Sequence, residues 1–198
     1  MIRAVLFDLD GVVRHFDRDP DLERRHGLPN GAITQAALAA PLLDDVTCGR
    51  ITRAEWIRII GERIGSPEAA EAWGRTPFHV DPDLIELAAE LRSLGLITAI
   101  LTNGTDTIPQ ETASCDLDRH FDPIFNTAEI GFAKPDPRAF THALNALPLP
   151  GDAVFFTDDS PSKLIGASEV GMHAHAFTGI RPLRAALRDA GVLVAGTP

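Results

Sequence analysis

Short apolar segments alternate with amphipathic segments along most of the chain. Apolar runs of strand length lie near residues 4–7, 97–101, 124–126, 153–156 and 173–177. Apolar residues recur every three or four positions, as in helices packed on one face, near residues 84–94, 137–144, 162–170 and 183–190. Strands that alternate with helices predict an α/β fold, in which a parallel sheet is covered by helices on both faces.

One long segment, from about residue 15 to residue 80, interrupts this alternation just after the first strand. Strand signals are weak there and helical signals dominate. Thr52 and Glu55 have the spacing of a capping box, in which each side chain bonds the other residue's backbone amide. We therefore expect residues 15–80 to form an all-helical cap. The core would consist of residues 1–14 and 81–198.

Composition and charge limit the classes of function. Hydrophobic residues make up 44% and charged residues 23% of the 198, which is ordinary for a globular protein. No apolar run approaches the roughly 20 residues of a membrane helix, and the apolar run at the N-terminus is too short for a signal peptide. We expect a cytoplasmic monomer or homodimer. Cys48 and Cys115 match no metal-ligand spacing.

The net charge of −10 bears on the partners of the protein. Such an acidic surface repels nucleic acid and anionic membranes, so we expect neither as a partner. It would also repel a phosphorylated metabolite. A site for such a substrate must therefore supply local positive charge, from a metal ion or from a few placed basic side chains.

Polar side chains directly follow three of the predicted strands. They are Asp8 and Asp10 after the first strand, Thr102 and Asn103 after the second, and Asp158 and Asp159 after the fourth. Ligands of parallel sheets bind beyond the carboxyl ends of the strands, so these side chains are expected to share one edge. Four carboxylates there would repel each other unless a cation lay between them or one stayed protonated.

Magnesium is the simplest cation for such an edge, because it prefers carboxylate and phosphate oxygens. Gly11 leaves room for the backbone to approach a ligand. Lys134 can neutralise further phosphate charge, and its proline neighbours restrict the backbone around it. The sequence therefore predicts a Mg²⁺ site that accepts a phosphate group. Its metal ligands would be Asp8, Asp10, Asp158 and Asp159, and its phosphate ligands Gly11, Thr102, Asn103 and Lys134.

This ordered set of residues resembles the motifs of the haloacid dehalogenase-like (HAD) hydrolase superfamily. Asp8-Leu9-Asp10-Gly11-Val12 resembles its first motif, Thr102 its second, Lys134-Pro135 its third and Asp158-Asp159 its fourth. Each motif is short, but the series covers the chain from the first strand to about Gly171. The resemblance implies a Rossmann-like core, a small helical cap between the first two motifs, and a small phosphorylated substrate.

The resemblance also implies a two-step mechanism. Asp8 would attack phosphorus to form an aspartyl-phosphate, and Asp10 would protonate the leaving oxygen and then activate water. Magnesium, held by Asp8, the Asp10 carbonyl and the acidic pair, would bind the transferring group, while Lys134 and the strand-end threonine stabilise its charge. Either Asp158 or Asp159 would contact the metal directly, and we expect Asp159 to do so. The superfamily's dehalogenases lack an acid at the position that matches Asp10, which favours phosphoryl chemistry.

Other functions stay open at this stage. A phosphomutase of the same superfamily shares the first half-reaction, and a non-catalytic phosphate- or metal-binding module could keep the fold. A phosphorelay receiver fits worse, because its acids, threonine and lysine follow a different order. Arg14, His15 and Arg50 are candidates for substrate contact, with solvent exposure as the alternative. For His173 and His175 we expect structural roles.

Overall fold

The structure, a computed structural model, describes residues 1–193. Its strands are β1 (Ala4–Phe7), β2 (Arg14–Phe16), β3 (Phe78–Val80), β4 (Ile97–Thr102), β5 (Ile124–Asn126), β6 (Val154–Asp158) and β7 (His173–Ala176). Its α-helices are α1 (Leu22–Arg25), α2 (Ala32–Leu38), α3 (Leu42–Thr47), α4 (Arg53–Ile64), α5 (Pro67–Gly74), α6 (Pro82–Ser93), α7 (Ile108–Ser114), α8 (Thr127–Ile130), α9 (Pro137–Ala146), α10 (Leu164–Glu169) and α11 (Ile180–Asp189). Residues 194–198, the end of the predicted core segment, lie outside the described residues.

A five-stranded parallel sheet forms the centre of the molecule, in the order β5-β4-β1-β6-β7. The first strand is the middle one, and its four residues are fully buried. Helices pack on both faces, because neighbouring residues of β1 point to opposite sides. Val5 and Phe7 pack with residues of α6, α7 and α11, whereas Ala4 and Leu6 pack with residues of α9 and α10. The predicted Rossmann-like α/β fold is confirmed.

Helices α1 to α5 follow the first strand and build a separate hydrophobic cluster. Trp56 and Trp73 meet edge to face within it, with ring centroids 5.2 Å apart. The predicted capping box is present at the start of α4, where the Thr52 hydroxyl accepts the Glu55 amide and the Glu55 carboxylate accepts the Thr52 amide. No helix within residues 1–193 has both the length and the apolar character to cross a bilayer.

A short antiparallel ribbon joins this helical segment to the sheet. It consists of β2 and β3, with Arg14 opposite Val80 and Phe16 opposite Phe78. The ribbon differs from the prediction of an all-helical segment between residues 15 and 80. Its strands have three residues each, which is too short for a period of two to stand out. The ribbon carries the chain away from the carboxyl edge of β1 and back again.

Candidate active site

The carboxyl ends of β1, β4 and β6 bring the predicted acidic residues together. Asp8 directly follows β1, is 1% exposed, and donates its backbone amide to the Thr157 carbonyl oxygen at 2.9 Å. Asp158 ends the neighbouring strand β6 and is fully buried. Thr102 ends β4 on the other side of β1 and is also buried. The edge is therefore acidic at its buried centre.

Lys134 is the buried cation of this edge. Its Nζ donates to Asp8 Oδ1 at 2.8 Å, to Asp158 Oδ2 at 2.7 Å and to the Leu101 carbonyl oxygen at 2.7 Å. An ammonium group has three donors, and all three are used here. Its side chain and that of Asp158 have no exposed surface. The lysine therefore fixes both carboxylates in a single orientation.

Asn103 fixes the backbone of that lysine. Its side-chain amide donates to the Lys134 carbonyl oxygen at 2.9 Å, and its side-chain oxygen accepts the Lys134 amide at 2.8 Å. The sequence predicts Asn103 as a phosphate ligand. In the structure its side chain positions Lys134 with one amide N–H and the amide oxygen, while its backbone amide and the second side-chain N–H stay candidates for phosphate.

Asp8, Asp158 and Asp159 form a cluster that suits a metal ion. One carboxylate oxygen from each lies within 4.8 Å of the other two. Oδ2 of Asp8 is buried and has no hydrogen-bond partner within residues 1–193. An orphaned anionic oxygen beside two other carboxylates fits a hard divalent cation with oxygen ligands, such as Mg²⁺.

The two acids of the pair differ in their freedom to bind a metal. Both oxygens of Asp158 accept hydrogen bonds, Oδ2 from Lys134 and Oδ1 from the Ser160 amide at 2.8 Å. Asp159 is more exposed. Partial burial of its carboxyl and the charges of Asp8 and Asp158 raise its pKa. This arrangement favours Asp159 over Asp158 for direct contact with a metal.

Gly11 makes room for Asp159. Its φ is +89°, and a Cβ atom on this residue would lie 2.2 Å from Asp159 Oδ2. Any other residue would meet both a strained backbone and a steric clash. Gly11 thus allows the loop after β1 to lie against the Asp159 carboxylate.

Asp10 lies in the same loop but outside the metal cluster. Its carboxylate accepts from Arg14 Nε at 2.5 Å and from a terminal Arg14 nitrogen at 3.0 Å. The side chain is 38% exposed. Burial in the cleft, with the nearby charges of Asp8 and Glu111, raises its pKa although Arg14 opposes the shift. A partly accessible carboxyl with a raised pKa has the properties of a proton donor.

Arg14 is buried and is therefore not the solvated residue considered from the sequence. Its guanidinium lies 5.0 Å from the Phe16 ring centroid and 4.8 Å from that of Phe78. It also donates to Glu111 Oε2 on α7 at 2.6 Å. Arg14 thus connects Asp10 to the ribbon and to α7.

Lys163 is a residue at this site that the sequence analysis missed. Its Nζ lies 3.6 Å from Asp8 Oδ2 and 3.8 Å from Asp158 Oδ1, and its side chain is 27% exposed. Burial opposes its charge, but the surrounding carboxylates, Asp8 foremost, outweigh this effect and raise its pKa. The rarity of lysine in the sequence could have indicated Lys163. Lys134 and Lys163 are the only two lysines among the 18 basic residues.

Arg50, His173 and His175 are not members of the acidic cluster. Arg50 pairs with Asp45 at 2.7 Å on the α3–α4 connection. His173 Nε2 lies 3.2 Å from the Asp152 carbonyl oxygen, and His175 Nδ1 lies 3.3 Å from the Thr157 hydroxyl. Each of the two histidines contacts one protein oxygen, and their structural roles stay a prediction.

Comparison with known proteins identifies the family of the chain. A family model described as haloacid dehalogenase-like hydrolase matches residues 2–171. The phosphoserine phosphatase of Thermus thermophilus is 31% identical over 169 residues, which cover 76% of this chain and 68% of that protein. The bifunctional epoxide hydrolase 2 of Rattus norvegicus is 25% identical over 201 residues. That match covers 86% of this chain but 35% of the rat protein, so the chain spans about a third of that relative.

A solved structure shows the same fold. It is a HAD family enzyme from Bacteroides thetaiotaomicron in complex with magnesium and inorganic phosphate, with a TM-score of 0.72 and 22% identity. The match covers 89% of this chain and 94% of the other.

Proposed function

Because the chain belongs to the haloacid dehalogenase-like hydrolase family, we propose that it is a magnesium-dependent phosphohydrolase acting on a small phosphorylated metabolite. The observation that carries this proposal is the buried carboxylate of Asp8. Lys134 holds one of its oxygens, while the other has no hydrogen-bond partner among the described residues. The phosphatase among its relatives and the solved structure with magnesium and phosphate support the same chemistry.

Asp8 is the proposed nucleophile. A carboxylate attacks phosphorus more readily when its orientation is fixed before the reaction. Lys134 Nζ fixes this orientation through Oδ1 and leaves Oδ2, which has no hydrogen-bond partner among the described residues, open to a cation. Attack would transfer the phosphoryl group to Asp8 and release the alcohol of the substrate. Water would then hydrolyse the aspartyl-phosphate.

Asp10 is the proposed acid and base of the two steps. Its raised pKa favours the protonated form needed to donate a proton to the leaving oxygen. Once ionised, the same carboxylate can take a proton from the attacking water. Arg14 holds both of its oxygens and acts as a positioning residue.

The positive charges of Lys134 and of a metal ion would reduce the repulsion between the carboxylates of this edge and a phosphate dianion. Asp8, Asp159 and the Asp10 carbonyl would hold Mg²⁺, and Asp158 would support the site through Lys134. When bound, the ion supplies positive charge that favours the phosphoryl group. Thr102, at the end of β4, and the backbone amide of Asn103 are the proposed neutral donors to its oxygens.

Residues 15–80 are the proposed cap over this edge. Two of its hydrogen bonds to the core lie on different helices: the Arg53 amide donates to Asp106 Oδ1 at 2.7 Å, and the Thr127 hydroxyl donates to the Thr47 carbonyl oxygen at 2.7 Å. Such contacts between the proposed cap and the core favour a small substrate over a protein. They would also limit the access of water during the reaction.

Release of p-nitrophenol from p-nitrophenyl phosphate tests the proposed function. We expect turnover with MgCl2, loss of turnover to background with EDTA, and recovery when magnesium is added in excess. The metal requirement follows from the excess of carboxylates over lysines beside the proposed phosphate site. Turnover that EDTA leaves unchanged would contradict the magnesium requirement. Failure of the folded protein to cleave this substrate and a panel of phosphate monoesters would contradict the phosphohydrolase proposal.

A further inference from the structure

Lys163 lies at the carboxylates proposed to hold the metal. Its ammonium group is 3.6 Å from the orphaned Asp8 Oδ2 and 3.8 Å from Asp158 Oδ1. Both distances are too long for good hydrogen bonds but short enough for ion pairs. The lysine thus neutralises these oxygens without being fixed to either of them, unlike Lys134.

The backbone after β6 determines this position. The Ser160 amide binds Asp158 Oδ1, and the Lys163 amide donates to the Ser160 carbonyl oxygen at 3.0 Å. The tight turn Pro161–Lys163 follows and leads into α10. The turn holds the backbone of Lys163 beside the acidic cluster, while a flexible four-carbon stem carries the charge.

The local charge changes markedly when a divalent cation binds. Asp8, Asp158 and Asp159 contribute three negative charges, and the two lysines contribute two positive ones. The sum is −1 without metal and +1 with Mg²⁺. Lys163 therefore disfavours the metal by Coulomb repulsion, but it favours a phosphate dianion once the metal is present.

We propose that Lys163 is an internal counter-ion of the metal site, which competes with the divalent cation for Asp8 and contributes to phosphate binding in the metal-loaded protein. This inference rests on the proposed metal site and deepens it. The lysine stabilises the acidic cluster in the metal-free protein. On metal binding it leaves Asp8 Oδ2, and its side chain is exposed enough to move. Metal and phosphate then bind cooperatively, because each reduces the unfavourable charge created by the other.

Calorimetric titration with MgCl2 and MnCl2 tests the competition without any measurement of activity. We expect Lys163→Gln to bind either metal about tenfold more tightly than the wild type, or more, since one positive charge near the ion is removed. Lys163→Arg keeps the charge and should stay within about threefold of the wild type. Arg181→Gln, an equal charge change at an exposed position on α11, should have no effect.

Titration of the metal-saturated proteins with inorganic phosphate gives the second readout. Lys163→Gln should bind phosphate more weakly by about threefold or more. Opposite effects on metal and phosphate affinity are expected of a counter-ion, whereas damage to the fold would weaken both. If the wild-type protein binds metal and Lys163→Gln binds it equally or more weakly, the proposed role of Lys163 is overturned, but the metal site is not. Absence of metal binding by every variant would overturn the metal site as well.

Discussion

Replacement of Asp8 by asparagine is expected to lower kcat for p-nitrophenyl phosphate by about four orders of magnitude or more. The amide has nearly the same shape, and its oxygen can still accept the bond from Lys134 Nζ. It cannot serve as the attacking carboxylate, so no aspartyl-phosphate can form. Steady-state kinetics with saturating magnesium would measure the loss.

The control for this variant is the same chemical change at an unrelated aspartate. Asp189, an exposed residue at the end of α11, can be changed to asparagine with no expected effect on kcat. Far-UV circular dichroism should show that Asp8→Asn folds, because it removes one charge from a crowded group of acids. Wild-type turnover by the Asp8→Asn protein would rule out Asp8 as the nucleophile.

Replacement of Lys134 by methionine is expected to reduce the free energy of unfolding by about 3–5 kcal/mol in the presence of EDTA. Lys134 is buried between Asp8 and Asp158, which are 1% and 0% exposed. Without the ammonium group, two buried carboxylates lose the cation that both contact directly, and the Leu101 carbonyl oxygen loses its donor. Urea denaturation of the variant and the wild type would measure the difference.

Magnesium provides the control for this effect. A divalent cation should restore part of the lost stability, because it replaces some of the missing positive charge. The double variant Asp8→Asn with Lys134→Met should be more stable than Lys134→Met alone, since one uncompensated charge is removed. A loss below about 1 kcal/mol, unchanged by magnesium, would show that Lys134 does not balance these acids.

The sheet and the acidic edge could be predicted from the sequence because both depend on local patterns. Apolar runs predicted the five strands of the sheet, and β1, β4 and β6 end where the polar residues begin. Parallel strands share their carboxyl edge, so Asp8 and Asp158 had to be close in space. The ion pairs of Lys134 with both acids agree with the charge balance inferred from the sequence.

Contacts between distant segments could not be predicted in this way. Arg14 is buried because Glu111, 97 residues later, and the two ribbon phenylalanines surround it. The residues next to Arg14 along the chain do not indicate these contacts. Asn103 was expected to bind phosphate, but its side chain pairs with the backbone of Lys134, 31 residues away.

Lys163 was missed for a different reason. The pattern predicted a helix from about residue 162, which gave no cause to place this lysine at the site. In the structure a tight turn precedes α10, and this turn brings Lys163 to the acidic edge. The rarity of lysine indicates the site better than the helical pattern does. The chain has arginine at every Lys or Arg position except Lys134 and Lys163.

The most direct test of the account is to isolate the phosphorylated Asp8. Asp10→Asn should still react with p-nitrophenyl phosphate, whose leaving group needs little protonation, but should hydrolyse the intermediate slowly. We expect a burst of about one equivalent of p-nitrophenol per protein, followed by slow turnover. Acid quenching, borohydride reduction and peptide mass spectrometry should then find homoserine at position 8. A burst with the phosphoryl group on another residue, or steady turnover without any burst or modification of Asp8, would contradict the account.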